Sequence, residues 1–120
     1  MKTRPTKAPK TVDIGPTRYP VVFLKKLKAD SRGLFDSEKG IQIQSGMLKD
    51  IEAEVLLHEV IHAMMYTFNM CPYLENVEAG KATYKKGRLE ERIVSDTSTA
   101  LATIFRQNPK LADYLKDNLK

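Results

Sequence analysis

Hydrophobic and polar residues follow two different periods along this chain of 120 residues, and the change lies near residue 46. Before it, Thr11–Ile14, residues 19–24 and Gly40–Gln44 have the alternation or the β-branched and aromatic content of strands. A segment around Leu34 and Phe35 lies between two groups of turn residues, one at residues 30–33 that ends with Gly33 and one at residues 36–40, and is predicted as a small strand or a wide turn. The sequence GIQIQ at 40–44 predicts a half-exposed strand at or near the edge of a small antiparallel or mixed sheet of about three strands.

Helical periodicity predicts three helices after this sheet. The first begins between residues 47 and 50 and ends near residue 68, and the second runs over residues 88–106. The third is short, with Asn108 as its N-cap and Pro109 at its first helical position. Residues 75–86 are predicted to form a loop. A sheet followed by helices indicates an α+β fold.

Composition is typical of one soluble globular domain, since 42% of the residues are hydrophobic and 29% are charged. We expect a flexible basic arm over residues 1–10, which has four basic residues and no acidic one, and a single domain over residues 11–120. The net charge of +5 leaves nucleic acid open as a partner, although the arm lacks interleaved aromatic residues and a solvated tail is favoured. The single cysteine, Cys71, and the absence of a signal-peptide or membrane-spanning pattern favour the cytoplasm.

The stretch LLHEVIHAMM at residues 56–65 contains both histidines of the chain. His58 and His62 lie one helical turn apart and can bind one zinc ion, while Glu59 is placed to act as a general base toward a water molecule. The apolar neighbours predict a buried helix with its histidines facing the core. The alternative is that both histidines are partly buried core residues and that Glu59 is solvated. The extended metzincin pattern fails, because Met65 replaces its glycine and Phe68 its histidine.

A catalytic zinc ion usually has a third protein ligand, which here must be an acidic residue or Cys71. Glu90 is the predicted ligand and Glu91 is the fallback. Both could instead be acidic residues favoured by the dipole at a helix N-terminus. Glu90 is preferred because it falls on the apolar stripe of the second helix, which is formed by Ile93, Thr97, Leu101 and Ile104.

The order of these segments resembles a known family. A small sheet ending in GIQIQ, then LLHEVIHAMM, a loop and LEERIVSDTSTALATIF is similar to the minimal, gluzincin-like zinc metallopeptidase domains of the ImmA/IrrE type, especially short members encoded by bacteriophages and prophages. The likeness covers most of residues 11–107, and its specific part is the His-Glu-x-x-His motif. It implies that His58, His62 and Glu90 bind Zn²⁺ and that Glu59 is the general base. The residues after Glu91 depart from the usual pattern, which keeps the choice between the two glutamates open.

These observations predict a zinc-dependent peptidase, a hydrolase in which Glu59 activates water for attack on a peptide bond. The resemblance suggests a regulatory protein of phage or host as the substrate, in the cytoplasm of a bacterial host. An extended peptide is expected to pair beside the strand edge at residues 42–44. No residue is assigned to stabilise the oxyanion, although four lie near the motif in sequence: Tyr66, Tyr73, Tyr84 and Arg88.

Two other functions remain open from the sequence. One is a catalytically inactive zinc-binding module that binds a protein partner and does not depend on Glu59. The other is a basic protein associated with nucleic acid, in which the histidine motif is incidental. Salt-dependent DNA binding that survives chelation would favour the second of these.

Overall fold

The computed structural model describes residues 7–70 and 86–119, including the side chains of all of these except residues 29 and 86–91. It is an α+β fold with one four-stranded mixed sheet, which confirms the predicted class and adds one strand to the expected three. None of the described helices is long and apolar enough to cross a membrane. The strands are β1 (Thr11–Ile14), β2 (Thr17–Leu24), β3 (Gly33–Asp36) and β4 (Gly40–Gln44), and the helices are α1 (Lys49–Thr67), α2 (Lys86–Gln107) and α3 (Pro109–Asn118), with a short 3-10 helix at Lys28–Asp30.

The strand order β1-β2-β4-β3 places β4 next to the edge strand β3, which agrees with its expected position at or near the edge of the sheet. This strand lies inside the sheet, parallel to β2 on one side and antiparallel to β3 on the other. The edge strand is therefore β3, the segment that the sequence left open between a strand and a turn. The alternation of apolar and polar residues in β4 indicates which face of the strand is buried. It does not indicate which strands pair with β4, because pairing joins separate segments of the chain. A peptide cannot pair beside residues 42–44, because β3 already occupies that edge.

One face of the sheet carries the core. Its side chains alternate along β1, β2 and β4 and pack against the apolar side of α1, while Val22 and Leu24 on the other face are exposed. In β4 the isoleucines are buried and the glutamines half-buried, which confirms the predicted half-exposed strand. The buried residues of this interface are Val12, Ile14, Tyr19, Val21, Ile41 and Ile43 from the sheet and Ala53, Leu56, Val60, Ala63 and Met64 from α1.

Two side-chain amides close the outer edge of β1. The Asn108 amide accepts a hydrogen bond from the Asp13 N–H (2.7 Å) and donates to the Asp13 carbonyl (2.6 Å). Gln107 pairs in the same way with both backbone groups of Gly15 (3.0 and 3.1 Å). Asn108 occupies the predicted N-cap position of α3, but its side chain makes no capping bond; its amide donates instead to Asp13 and to the Ile104 carbonyl (2.7 Å). The Asn108 side chain thus makes hydrogen bonds to β1 and α2 and does not cap α3.

The end of the predicted N-terminal arm contacts the domain. Pro9 is buried, Ala8 packs against the core, and the Lys10 carbonyl accepts a hydrogen bond from the Val21 N–H (2.8 Å). Residues 1–6 lie outside the described part of the chain. Residues 8–10 therefore contact the domain. The flexible arm over residues 1–10 stays a prediction.

A buried hydrogen bond joins α3 to α1. The Tyr114 hydroxyl donates to Oε2 of Glu52 at 2.5 Å, and both side chains are almost fully buried. Burial and the nearby carboxylate raise the pKa of Tyr114, so the hydroxyl stays protonated and donates. Lys49 Nζ lies 3.6 Å from the same Glu52 oxygen and compensates part of its charge. This pair fixes the first half of the motif helix against the C-terminal helix.

Candidate metal centre and peptide cleft

The two histidines project from the exposed side of α1, one helical turn apart. Their Nε2 atoms are 3.1 Å apart, and their ring centroids are separated by 4.8 Å. Two nitrogen ligands at about 2.0–2.1 Å from a tetrahedral zinc ion lie about 3.3 Å apart, so the spacing suits two ligands of one ion. The expectation that His58 and His62 face the core is wrong, because the buried side of α1 is the side that carries Glu59 and Val60.

Glu59 is buried between α1 and β3, with 6% of its surface exposed. This arrangement is the opposite of the alternative in which the histidines are buried and the glutamate is solvated. Burial raises the pKa of Glu59, and the nearby rings of His58 and His62 act in the opposite direction. Burial has the larger effect, so this carboxylate is a stronger base than a solvated one.

Glu59 fits under β3 because residue 33 is glycine. A Cβ atom on Gly33 would lie 2.6 Å from Cγ1 of Val55 and 3.0 Å from both Cγ and Oε2 of Glu59. The sequence placed Gly33 in a turn, whereas it is the first residue of β3. A glycine within a strand commonly marks a close approach of another chain segment, and that was the signal available in the sequence.

The outer edge of β3 has backbone groups that point away from the sheet. The Gln44 N–H donates to the Arg32 carbonyl (2.8 Å), so residues 32 and 44 form a hydrogen-bonded pair of the antiparallel ladder. Because such pairs alternate with non-bonded ones, the N–H and C=O of Gly33 and Phe35 face outward. This edge lies directly beside the buried Glu59.

Along β3, the edge strand of the described sheet, a cleft lies at one end and a group of aromatic rings at the other. The cleft has a volume of about 450 Å³ and lies between β3 and the first half of α1. At the other end, the ring of Phe35 contacts those of Tyr66 (centroids 5.8 Å apart) and Tyr19 (5.2 Å). The cleft therefore lies beside His58, at the start of the motif. The aromatic group lies one helical turn beyond His62. The cleft residues include Arg32, Gly33, Ile51, Val55, His58 and Glu59.

The predicted third ligand lies in residues 86–91, for which the structure describes the backbone and not the side chains. Glu90 and Glu91 belong to the first turns of α2, in agreement with the predicted helix, but only their backbone is described. Cys71 lies outside the described residues. Within residues 7–70 and 92–119, no group of three His, Cys, Asp or Glu side chains is close enough to hold a metal ion. The choice between the two glutamates stays a prediction.

The residues near the motif that could stabilise an oxyanion are only partly described. Tyr66 is exposed and lies one turn beyond His62 on the same side of α1. Tyr73 and Tyr84 lie outside the described residues, as does the side chain of Arg88. None of the four is assigned this role.

We compared the chain with models of protein families, with curated proteins and with solved structures, and found no match. The site is therefore interpreted from its own geometry.

Proposed function

We propose that this protein is a zinc-dependent peptidase. The observation that carries the proposal is the pair of Nε2 atoms 3.1 Å apart on exposed histidines, next to a buried carboxylate and to a strand, β3, that is the edge of the sheet among the described residues. His58, His62 and a glutamate of α2, Glu90 or Glu91, would hold the ion. Zinc, when bound, supplies Lewis acidity toward a water molecule and toward the carbonyl of the peptide bond.

Glu59 is the proposed general base. It accepts a proton from the attacking water and passes it to the nitrogen of the leaving amine, so the carboxylate is regenerated in each turnover. Its burial keeps bulk water from competing for the same oxygen atoms.

An extended peptide is the proposed substrate. Pairing with the outward backbone groups of Gly33 and Phe35 would add a strand to the sheet at β3, in place of the edge at residues 42–44 expected from the sequence. A peptide bound there passes the cleft at one end and the rings of Phe35 and Tyr66 at the other, with its middle near the histidine pair. The resemblance to phage-encoded peptidase domains suggests that the peptide belongs to a regulatory protein.

The test combines metal analysis with peptide cleavage. Purified protein loaded with zinc is incubated with a mixture of peptides from a digested bacterial proteome, and new termini are identified by mass spectrometry. We expect cleavage by the wild type and by Asp113→Asn, a control that makes the same change of carboxylate to amide at an exposed residue of α3, outside the cleft. Glu59→Gln should keep its zinc and lose cleavage, because glutamine cannot accept the proton.

Three other results would reject the proposal. Cleavage by Glu59→Gln at the wild-type rate would exclude the mechanism. Stoichiometric zinc with no cleavage of any peptide would favour a zinc-binding module that recognises a protein partner. Absence of zinc uptake, together with salt-dependent DNA binding that persists in His58→Ala, would favour the protein associated with nucleic acid.

A further inference from the structure

Gly33 of the edge strand lies against the motif helix. A Cβ atom there would meet one atom of Val55 and two of Glu59, residues one turn apart on α1. We propose that Gly33 is a positioning residue for Glu59: the missing side chain lets the carboxylate lie directly under β3. The positioning follows from geometry alone, whereas its effect on catalysis rests on the proposed peptidase function.

Backbone conformation does not explain this glycine. Positive φ values occur at Gly15, Gly40 and Gly46 but not at Gly33, so an L-amino acid could adopt the backbone of residue 33. Glycine weakens a strand and is disfavoured there unless space demands it. The reason must therefore be the two side chains that occupy the place of its Cβ.

The two neighbours of that place would respond differently to a methyl group. Val55 is a branched side chain packed against the core, and relieving a contact of 2.6 Å requires the stiff valine side chain to leave its rotamer or α1 to move away from β3. The Glu59 contacts involve Cγ and Oε2, which can rotate away from the strand. An alanine at residue 33 is thus expected both to loosen the packing and to turn the carboxylate from the edge.

A double substitution separates these effects. Val55→Ala removes the Val55 contact and leaves those of Glu59, so we compare Gly33→Ala, Val55→Ala and Gly33→Ala/Val55→Ala. The readouts are the melting temperature, zinc uptake, and the ¹³C signal of the Glu59 side-chain carboxyl group in metal-free protein at one fixed pH. That signal is identified by its loss in Glu59→Gln.

If Gly33 positions Glu59, the double variant recovers the melting temperature of Val55→Ala while its Glu59 signal stays displaced, as in Gly33→Ala. Zinc uptake should be unchanged in all three variants, and cleavage should fall roughly tenfold or more wherever residue 33 is alanine, because a small misplacement of a catalytic group is costly.

The proposal is overturned if the Glu59 signal of the double variant coincides with that of Val55→Ala, since Gly33 would then serve packing alone. If the signal is displaced as expected but wild-type protein cleaves no peptide, the positioning is supported and the peptidase function is rejected. The two failures are thus distinguishable.

Discussion

At the scale of single residues, the buried position of Asn108 requires a side chain that both accepts and donates hydrogen bonds. It is buried, it accepts one hydrogen bond from Asp13, and its amide nitrogen donates to the carbonyls of Asp13 and Ile104. One side chain thereby completes the edge of β1 and joins it to the corner between α2 and α3. Only an amide has both the acceptor and the donors that this place requires.

We predict that Asn108→Asp destabilises the protein by about 1–3 kcal/mol at neutral pH, because a carboxylate would face two carbonyl oxygens without a proton to donate. Gln107→Glu is the matched control, since it makes the same chemical change in an exposed amide that pairs with Gly15. Its effect should be smaller. Urea unfolding of the three proteins provides the measurement, and equal losses in the two variants would contradict this view of Asn108.

The identity of the third zinc ligand is a second prediction at this scale. Consecutive residues of a helix differ in direction by about 100°, so Glu90 and Glu91 cannot both point toward the histidine pair. We expect Glu90→Gln to weaken zinc binding strongly and Glu91→Gln to leave it nearly unchanged, as measured by competition with a chromophoric chelator. The reverse pattern would identify Glu91 as the ligand.

The motif helix was predictable in its limits but not in its orientation. Its predicted span agrees with Lys49–Thr67, because the change of period and the residues that follow Thr67 mark both ends. Leu57, Ile61 and Met65 are half-buried and pack at the margin of the core, so the apolar surface of the helix extends well beyond its fully buried residues. No single apolar stripe indicates the buried side, and the exposure of the histidines could not be inferred.

At the scale of elements, β3 was the least predictable part of the sheet. It has four residues, begins with glycine and is flanked by turn residues, so its local pattern is weak. Its place at the edge depends on pairing with β4, which is held by the turn between them. In that turn, Oδ1 of Asp36 accepts hydrogen bonds from the N–H groups of Lys39 (2.9 Å) and Glu38 (2.8 Å).

These two bonds give a prediction for pH. The N–H groups of Lys39 and Glu38 lower the pKa of Asp36 below its ordinary value of 3.8, since they favour the charged carboxylate. The stabilisation is therefore complete above pH of about 4 and is lost as the pH falls through the lowered pKa of the folded state. Asp36→Asn should lose less stability than wild type between pH 5 and about pH 2 in urea unfolding.

Glu38→Gln is the control for this prediction, because it removes a neighbouring charge and keeps the Asp36 bonds to the backbone. It should retain the wild-type dependence on pH. An identical loss of stability in wild type and Asp36→Asn would show that other carboxyl groups account for the acid sensitivity.

At the scale of the whole molecule, the two edges of the sheet differ in the hydrogen bonds of their backbone groups. Gln107 and Asn108 fill the β1 edge at Gly15 and Asp13, whereas the β3 edge keeps the outward groups of Gly33 and Phe35 beside the histidine pair. Within residues 7–70 and 86–119, side chains fill one edge and no strand lies beside the other, so the β3 edge is where the proposed peptide would be added. The fold thus brings together features that are far apart in the sequence, which is why the sequence predicted a site on α1 but not its cleft.

The exposure of the histidines leads to a prediction about the stability of the whole protein. A bound ion stabilises the folded state by about 4 kcal/mol when its free concentration is a thousand times its Kd, so excess zinc should raise the melting temperature of wild type. Without metal, the free energy of unfolding of His58→Ala should lie within about 0.5 kcal/mol of the wild-type value, because the exposed His58 side chain is not part of the packed core. With zinc, the variant should gain little. Calorimetric melting of both proteins, with zinc and with chelator, tests this. A large loss in chelator would mean that the histidine contributes to packing, and an equal response to zinc in both proteins would place the metal elsewhere.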